Sequence, residues 1–268
     1  MILVAQVSDT HFDLGARNAE RAERVMAFLA DLRRRPDAIL LTGDITDSGK
    51  PDQYAEARVA LAADIPVYAL PGNHDDRAAF RTVLLGEPAS TAPINHAHRI
   101  GNLTVALMDS SIPGESGGRL TEETLDWLRG VLAAAPAGAP ILLALHHPPA
   151  HLFSPVVDSI SLADPEKLAE VVAADERIVG VVTGHAHSSA ATTFAGRPLL
   201  IAPSTASVLG GEWELELPDR VMDYAPDPAV ALHVIDENRR MTTHFRSIPM
   251  GGWIGVQPDQ RRTARSRR

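Results

Sequence analysis

The sequence predicts an α/β fold: a four-layer α-β-β-α sandwich, in which two mixed sheets pack face to face and are flanked by helices. Apolar segments typical of buried strands alternate with amphipathic helical segments through the first part of the chain. The later segments look like strands without long helices between them. The 268 residues, of which 45% are hydrophobic, are near the size at which one core stops growing. We therefore expect a single domain over residues 1–256.

Four helices are predicted from apolar periodicity or from a start signal. Between Asn18 and Arg34 the apolar residues recur at i, i+3, i+4 and i+7. Pro51 suits the first turn of a second helix, through Ala63. Thr121 is a good cap for a third helix, which runs to about Ala134. Asp164 followed by Pro165 starts the fourth, through Ala174.

The remaining elements are strands and one irregular segment. A hairpin that turns at Gly101-Asn102 joins residues 98–100 to residues 103–108. Three later strands are predicted at Leu199–Ala202, Ala231–Ile235 and Thr242–Ser247. The segment from Ser204 to Asp227 has no clear periodicity, and we expect an irregular loop near the functional site or at a subunit contact.

Composition excludes several classes of protein. The net charge of −9 argues against specific nucleic-acid binding, which needs a basic surface. No apolar run reaches the roughly 18 residues of a membrane span, and the chain opens directly into a strand, so a cytoplasmic location is expected. The basic tail, residues 257–268, is expected to be disordered, and it could touch an anionic lipid surface or RNA.

Five apolar strands are each followed at once by side chains that can bind metals. These side chains are Asp9 and His11, Asp44, Asn73 and His74, His146, and His185 and His187. Open α/β sheets bind their ligands at the carboxyl edge of the strands, so the five strands are expected to share one site there. Cysteine is absent, so the ligands must be oxygen or imidazole nitrogen, which favours harder cations.

Taken separately, these motifs differ in specificity. Asp9 and His11 lie on the same side of an extended segment, but taken alone such a pair is more often a surface turn than a metal site. The Gly43-Asp44 pair is commonplace, although the glycine allows a sharp exit from the strand. The two imidazoles of His185 and His187 form a natural chelate and are the strongest indication of a metal.

Two further histidine pairs require a choice. Of His146 and His147, the first lies at the strand end and is the preferred ligand. His147 is expected to support the ligands from behind or to be purely structural. His96 and His98 begin a hairpin rather than follow a parallel strand, so we expect them to be structural.

The motifs D-x-H, G-D, G-N-H-D, H and G-H-x-H occur in this order between Val4 and His187. Together they resemble the binuclear metallophosphoesterases, also called calcineurin-like phosphoesterases. Within that superfamily the chain looks most like the class III cyclic-nucleotide phosphodiesterases and the related glycerophosphodiesterases.

The resemblance implies a ligand set and a mechanism. One metal would be held by Asp9, His11 and His187, the other by Asn73, His146 and His185, with Asp44 between them. A hydroxide that bridges the two metals would attack the phosphorus in line. The family often carries Fe or Mn, and Zn or Co also suits this set of ligands.

His74 lies outside this ligand set, and the resemblance implies that it protonates the leaving alkoxide as a general acid. Asp75 could orient His74 or could be a structural aspartate.

The expected function is hydrolysis of a small phosphodiester such as a 3′,5′- or 2′,3′-cyclic nucleotide. A glycerophosphodiesterase or a broad phosphomonoesterase is the alternative, because the metal core recognises only the phosphoryl group. A binding protein without catalysis is a distant third reading, since no ligand and no general acid has been lost from the sequence. The family analogy also suggests a homodimer.

Overall fold

The computed structural model describes residues 1–214 and 222–251, and its strands form two large sheets. The strands are β1 (Ile2–Val7), β2 (Ala38–Thr42), β3 (Val67–Leu70), β4 (His96–Ile100), β5 (Leu103–Leu107), β6 (Gly118–Arg119), β7 (Ile141–Ala144), β8 (Leu162–Ala163), β9 (Ile178–Thr183), β10 (Ala190–Phe194), β11 (Arg197–Ile201), β12 (Val208–Leu209), β13 (Met222–Asp223), β14 (Ala229–Ile235) and β15 (Met241–Ser247). The helices are α1 (Ala16–Asp31), α2 (Pro51–Ala60), α3 (Arg77–Ala79), α4 (Glu122–Ala134), α5 (Pro155–Ser159) and α6 (Pro165–Ala174), and a π-helix follows α3 at Phe80–Leu85.

Both sheets have a parallel centre and antiparallel edges. The first sheet has the order β15-β14-β1-β2-β3, in which β1, β2 and β3 are parallel. The second has the order β10-β11-β9-β7-β5-β4, in which the four central strands are parallel. Because parallel neighbours end on the same side, the carboxyl ends of each sheet's central strands form one edge.

Apolar side chains fill three layers of core. Residues such as Leu40 of the first sheet and Val105 and Leu142 of the second meet between the two sheets. The outer face of the first sheet packs against α1 and α2, and that of the second against α4 and α6. The predicted four-layer α-β-β-α sandwich of two mixed sheets is therefore confirmed.

The four predicted helices are present, with small differences at their ends. In α1 the predicted apolar stripe is the buried face, which includes Ala22, Val25 and Leu29. The Thr121 hydroxyl caps α4 by accepting a hydrogen bond from the backbone N–H of Thr124 at 3.2 Å. Asp164 precedes α6 in a left-handed conformation and does not cap it with its side chain.

The hairpin and the three late strands also form as predicted, and the sequence missed one strand of the two large sheets, besides the short two-residue strands outside them. That strand is β10, a largely exposed edge strand of alanine and threonine that offers no apolar alternation to detect. Within Ser204–Asp227, the described residues form a short pair, β12 with β13, and Ser204 bridges to Ser8 beside the carboxyl edge. The tail at residues 257–268 lies outside the described residues.

His96 and His98 join the open edges of the two sheets. His96 Nε2–H donates to the carbonyl of Ala69 on β3 at 2.7 Å, and its Nδ1 lies 2.7 Å from His98 Nε2. The ring of Tyr68 stacks on His98, with 3.7 Å between the centroids. These contacts fit the structural role expected for this pair. In the described part of the chain, no helix has the length and apolar character that crossing a bilayer requires.

His233 is a buried titratable group in the middle of the first sheet. Its Nε2–H donates to Gln6 Oε1 at 2.9 Å, its Nδ1 lies 2.8 Å from the hydroxyl of Thr243, and burial lowers its pKa to about 4. In the folded chain the His233 ring therefore resists protonation, whereas a histidine in the unfolded chain titrates near pH 6.5. The contribution of neutral His233 to the free energy of unfolding is fully present above pH 6.5. It is lost as the pH falls from 6.5 towards 4.

We expect His233→Gln to flatten this pH dependence. Between pH 7 and pH 5, the free energy of unfolding should fall by about 2 kcal/mol less in the variant than in the wild type. Urea unfolding at the two pH values measures the difference. His244→Gln, on the exposed side of the neighbouring strand, is the matched control and should keep the wild-type slope. Equal slopes in His233→Gln and the wild type would contradict this account.

Candidate metal centre

The side chains predicted as metal ligands come together where the two sheets end. Asp9, His11, Asp44 and Asn73 follow strands of the first sheet. His146, His185 and His187 follow strands of the second. All are buried except Asn73, which is half-buried. The site therefore lies across both sheets.

The backbone turns sharply at most of these residues. A positive φ, between 45° and 68°, occurs at Asp9, His11, Asp44, His185 and His187. This left-handed conformation costs an L-residue about 1–2 kcal/mol, and such strained residues cluster at functional sites. It bends the chain directly after each strand and aims the side chain back over the sheet edge.

Glycines in the motifs leave room for ligands from other motifs. A Cβ added at Gly72 would clash with Asp44 Oδ1, and one at Gly184 would lie 2.9 Å from Asp9 Oδ2. At Gly43, where φ is +91°, it would meet the ring of His146. Each glycine thus leaves space for a ligand side chain from a neighbouring strand, because it has no Cβ.

One group of possible ligands consists of Asp9, His11, Asp44 and His187, whose ligand atoms all lie within 4.8 Å of one another. The Nε2 atoms of His11 and His187 are 3.1 Å apart. His11 Nε2 lies 3.6 Å from Asp44 Oδ2, and His187 Nε2 lies 3.6 Å from Asp9 Oδ1.

A second group surrounds the ring of His146. Its Nε2 lies 3.2 Å from Asn73 Oδ1, 3.2 Å from His185 Nδ1 and 3.3 Å from Asp44 Oδ2. Asp44 Oδ2 is thus close to an imidazole of each group. An oxygen in that position could contact two cations at once.

Burial and mutual charge shift the pKa values of these groups strongly. Burial raises the pKa of Asp9 to about 6 and lowers that of His185 to about 3. Although burial opposes its charge, His146 holds the pKa of Asp44 well below the usual range. Burial also opposes a charge on His146, but the Asp44 carboxylate raises the pKa of that imidazole to about 9. The carboxylates of the cluster attract positive charge, which in the absence of an ion is a proton on His146. A metal cation would neutralise the same carboxylates.

The hydrogen bonds behind the imidazoles fit bound metal ions. His146 Nδ1–H donates to the carbonyl of Thr42 at 2.8 Å, so a neutral ring directs the lone pair of Nε2 into the cluster. His187 Nδ1 lies 2.8 Å from the hydroxyl of Ser207, which can accept a proton from Nδ1 and so is compatible with the same tautomer. The nitrogen and oxygen atoms that converge on Asp44 then point mainly lone pairs at one another. These lone pairs repel unless cations lie between them.

His74 lies beside the first group, and its ring is exposed. Its backbone N–H donates to Asp44 Oδ1 at 2.9 Å, and its ring packs edge-on to His11, with 4.7 Å between the centroids. Its Nδ1–H donates to the backbone carbonyl of Asp47 at 2.8 Å, which leaves Nε2 available for chemistry.

The sequence prediction overlooked Asp47, whose carboxylate lies 3.4 Å from His11 Nδ1. That oxygen can accept a proton from His11 Nδ1, as the Thr42 carbonyl accepts one from His146 Nδ1. Asp47 follows Asp44 by three residues in the same loop, and this spacing was the available indication. Ser207 was also overlooked, because the surrounding segment shows no periodicity.

The two supporting residues named from the sequence make extensive contacts of their own. Asp75 accepts hydrogen bonds from the backbone N–H groups of Gly72, Ile45 and Thr46 and from two hydroxyls, and so it ties the loop of Asp44 to that of Asn73. These contacts favour the structural alternative for Asp75. His147 is fully buried; its Nδ1 lies 2.8 Å from the Ser110 hydroxyl, and its Nε2–H donates to the Ser116 carbonyl at 3.2 Å.

Oxygen and imidazole donors at the shared carboxyl edge of a four-layer sandwich define a metal-dependent hydrolase. Residues 2–189 match the sequence model of the calcineurin-like phosphoesterases, and the chain belongs to this family. The family binds a binuclear metal centre, and the histidine and aspartate groups described above could hold metal ions in this chain.

Curated relatives have phosphodiesterase names. A probable cyclic nucleotide phosphodiesterase of Rhodococcus erythropolis is 40% identical over 190 residues, which are 69% of this chain and 62% of that protein. The glycerophosphodiester phosphodiesterase GpdQ of Enterobacter lignolyticus is 33% identical over 220 residues, or 76% of this chain and 77% of the relative.

Among solved structures, a dimetal phosphatase from Danio rerio aligns with a TM-score of 0.67 at 15% identity. The alignment covers 92% of this chain and 96% of the other. At this identity the similarity concerns the fold alone.

Proposed function

We propose that the protein is a binuclear metal-dependent phosphodiesterase that hydrolyses cyclic nucleotides. The observation that carries the proposal is the position of Asp44, with one oxygen near an imidazole of each ligand group and the other accepting from the backbone of His74. The name of the Rhodococcus relative supports cyclic nucleotides as the substrate class.

In this proposal Asp9, His11 and His187 would hold one ion, Asn73, His146 and His185 would hold the other, and Asp44 would serve both. When bound, such a pair of ions activates water and neutralises charge on a phosphoryl group. Fe or Mn is the first pair of metals to test, because imidazole and carboxylate ligands suit both, and Zn or Co would also fit.

The protein's own groups then divide the remaining work. When its ring carries a proton on both nitrogens, His74, fixed by its contacts with the Asp47 carbonyl and with Asp44, transfers the proton on Nε2 to the leaving oxygen of the diester and keeps the proton on Nδ1. Asp47 and Thr42 hold the rings of His11 and His146 in position. Asp75 maintains the spacing of the two loops that carry Asp44 and Asn73.

A glycerophosphodiester is the second candidate substrate, supported by the similarity to GpdQ. The ligand groups described above recognise a phosphoryl group whatever alcohol it carries, so they do not separate the two candidates. The homodimer, the cytoplasmic location and the single domain with a basic tail stay predictions from the sequence.

A substrate panel tests the proposed function. The protein is stripped with a chelator, reloaded with Mn²⁺ or Fe²⁺, and assayed on cyclic AMP, glycerophosphocholine, bis(p-nitrophenyl) phosphate and p-nitrophenyl phosphate. We expect the highest kcat/KM on cyclic AMP, at least tenfold above that on the monoester, and background rates for the stripped protein. Faster hydrolysis of glycerophosphocholine would support the second candidate. Faster hydrolysis of the monoester would contradict both diester assignments.

A further inference from the structure

A cavity of about 220 Å³ opens beside His74, which is one of its lining residues. Its walls come from three loops: residues 48–49, residues 73–77 with Thr91, and residues 111–114. At about 30 Å³ per water molecule, it holds on the order of seven waters, which is the space of a small organic group. The cavity therefore adjoins the residue proposed to protonate the leaving oxygen.

Arg77 and Asp109 hold two of these walls together. Arg77 Nε donates to Asp109 Oδ2 at 2.7 Å, and both side chains are largely buried. The remaining guanidinium nitrogens donate to the carbonyls of Thr91, at 3.0 Å, and Ser111, at 2.8 Å. Asp109 also accepts from the backbone N–H groups of Ile94 and Ser111, both at 2.9 Å. One ion pair thus positions the loops on either side of the opening.

The charge of the walls favours a neutral group. Arg77 is the one lysine or arginine among the described residues that line the cavity, and Asp109 neutralises it. Asp76 adds an acidic side chain to the lining. Ile112 and Pro113 supply apolar surface, and serine and threonine side chains add hydroxyls to the lining. A second phosphate would find no free cation here, whereas an uncharged ring with polar edges would fit.

We propose that this cavity binds the nucleoside part of a cyclic nucleotide, and that Arg77 and Asp109 are positioning residues that set its width. The inference rests on the proposed function. The phosphoryl group lies over the ligand cluster, and the ring attached to the leaving oxygen extends past His74 into the cavity. Affinity for the nucleoside then depends on residues that are not metal ligands, such as Thr91 and Ile112, as well as on the ligand cluster.

Filling the cavity tests this proposal. Ile112→Trp places an indole in the wall, and Glu115→Trp puts the same side chain on the same loop outside the cavity. With Mn²⁺-loaded protein, we expect Ile112→Trp to raise the KM for cyclic AMP at least tenfold. The inhibition constant of inorganic phosphate, which carries no organic group, should stay at the wild-type value, as should metal content. Glu115→Trp should match the wild type in every measurement.

Two further variants keep the test decisive if Ile112→Trp does not fold. Thr91→Trp fills the cavity from an exposed position on another wall and should raise the same KM. Arg77→Lys keeps a cation beside Asp109 but loses the bonds to the two carbonyls. It should raise the KM several-fold with little change in kcat, whereas a merely structural role would lower Tm and leave the KM unchanged.

The failure of this inference and the failure of the proposed function give different results. If wild-type protein hydrolyses cyclic AMP and the filled variants keep its KM, the inference is overturned and the proposed function stands. A parallel rise in the phosphate inhibition constant would locate the effect at the ligand cluster and would also overturn the inference. If the reloaded wild type hydrolyses no cyclic nucleotide, the proposed function fails, and the inference fails with it.

Discussion

Asp44→Ala is expected to remove both metal ions and to reduce hydrolysis of every phosphodiester to background. Asp44 is nearly completely buried, and Oδ2 lies 3.3 Å from His146 Nε2 and 3.6 Å from His11 Nε2. In the proposed ligand set no other side chain touches both ions. Its loss would leave each half-site with two or three neutral donors and at most one carboxylate, and the affinity for divalent cations depends on that negative charge.

Metal analysis after dialysis, together with the rate on bis(p-nitrophenyl) phosphate, measures this effect. Asp64→Ala is the matched control, because it removes an exposed carboxylate and should keep both ions. A circular dichroism spectrum separates metal loss from unfolding. Two ions retained by folded Asp44→Ala would contradict the role of Asp44 between the metals.

His74→Ala is expected to keep the metals and to lose most of the turnover of substrates with poor leaving groups. A general acid typically contributes 10²–10⁴-fold, so kcat on cyclic AMP should fall by about that factor. A p-nitrophenolate leaving group needs little protonation, and the corresponding diester should lose far less. This difference between substrates distinguishes an acid from a side chain that only binds the phosphoryl group.

His244→Ala is the control, since it removes an exposed imidazole from β15 and should retain wild-type rates. The comparison uses kcat on cyclic AMP and on bis(p-nitrophenyl) phosphate, with metal content measured on the same samples. An equal loss on both substrates would mean that His74 does not act as the acid. Wild-type rates on cyclic AMP would remove it from the mechanism altogether.

The sequence predicted the layers of the fold because apolar periodicity records burial directly. Strands such as Ala38–Thr42 are buried on both faces, and α1 buries one stripe, so both produce clear patterns. The edge strand Ala190–Phe194 buries little and produced no pattern. Its position follows from pairing with β11, which is a tertiary contact.

The candidate ligands could be named from the sequence because parallel strands bring their carboxyl ends together, so that position after a strand implies position in space. For contacts between loops, position in the sequence does not predict position in space in this way. Asp47 beside His11 and Arg77 beside Asp109 are side-chain pairs whose partners depend on loop conformation. The hydrogen bonds of Asp75 likewise reach Ile45 and Thr46, about thirty residues earlier.

The position of the ligand cluster across both sheets has a consequence for folding. Asp9 and His185, whose backbone N–H donates to the Asp9 carboxylate, are 176 residues apart in the chain. In the proposed ligand set neither ion can be fully coordinated until β9 of the second sheet, which precedes His185 and His187, has come together with the first sheet. Metal uptake is then a late event in biogenesis. An ion present at a thousand times its Kd adds about 4 kcal/mol to the finished protein and nothing to a chain that still lacks its second sheet.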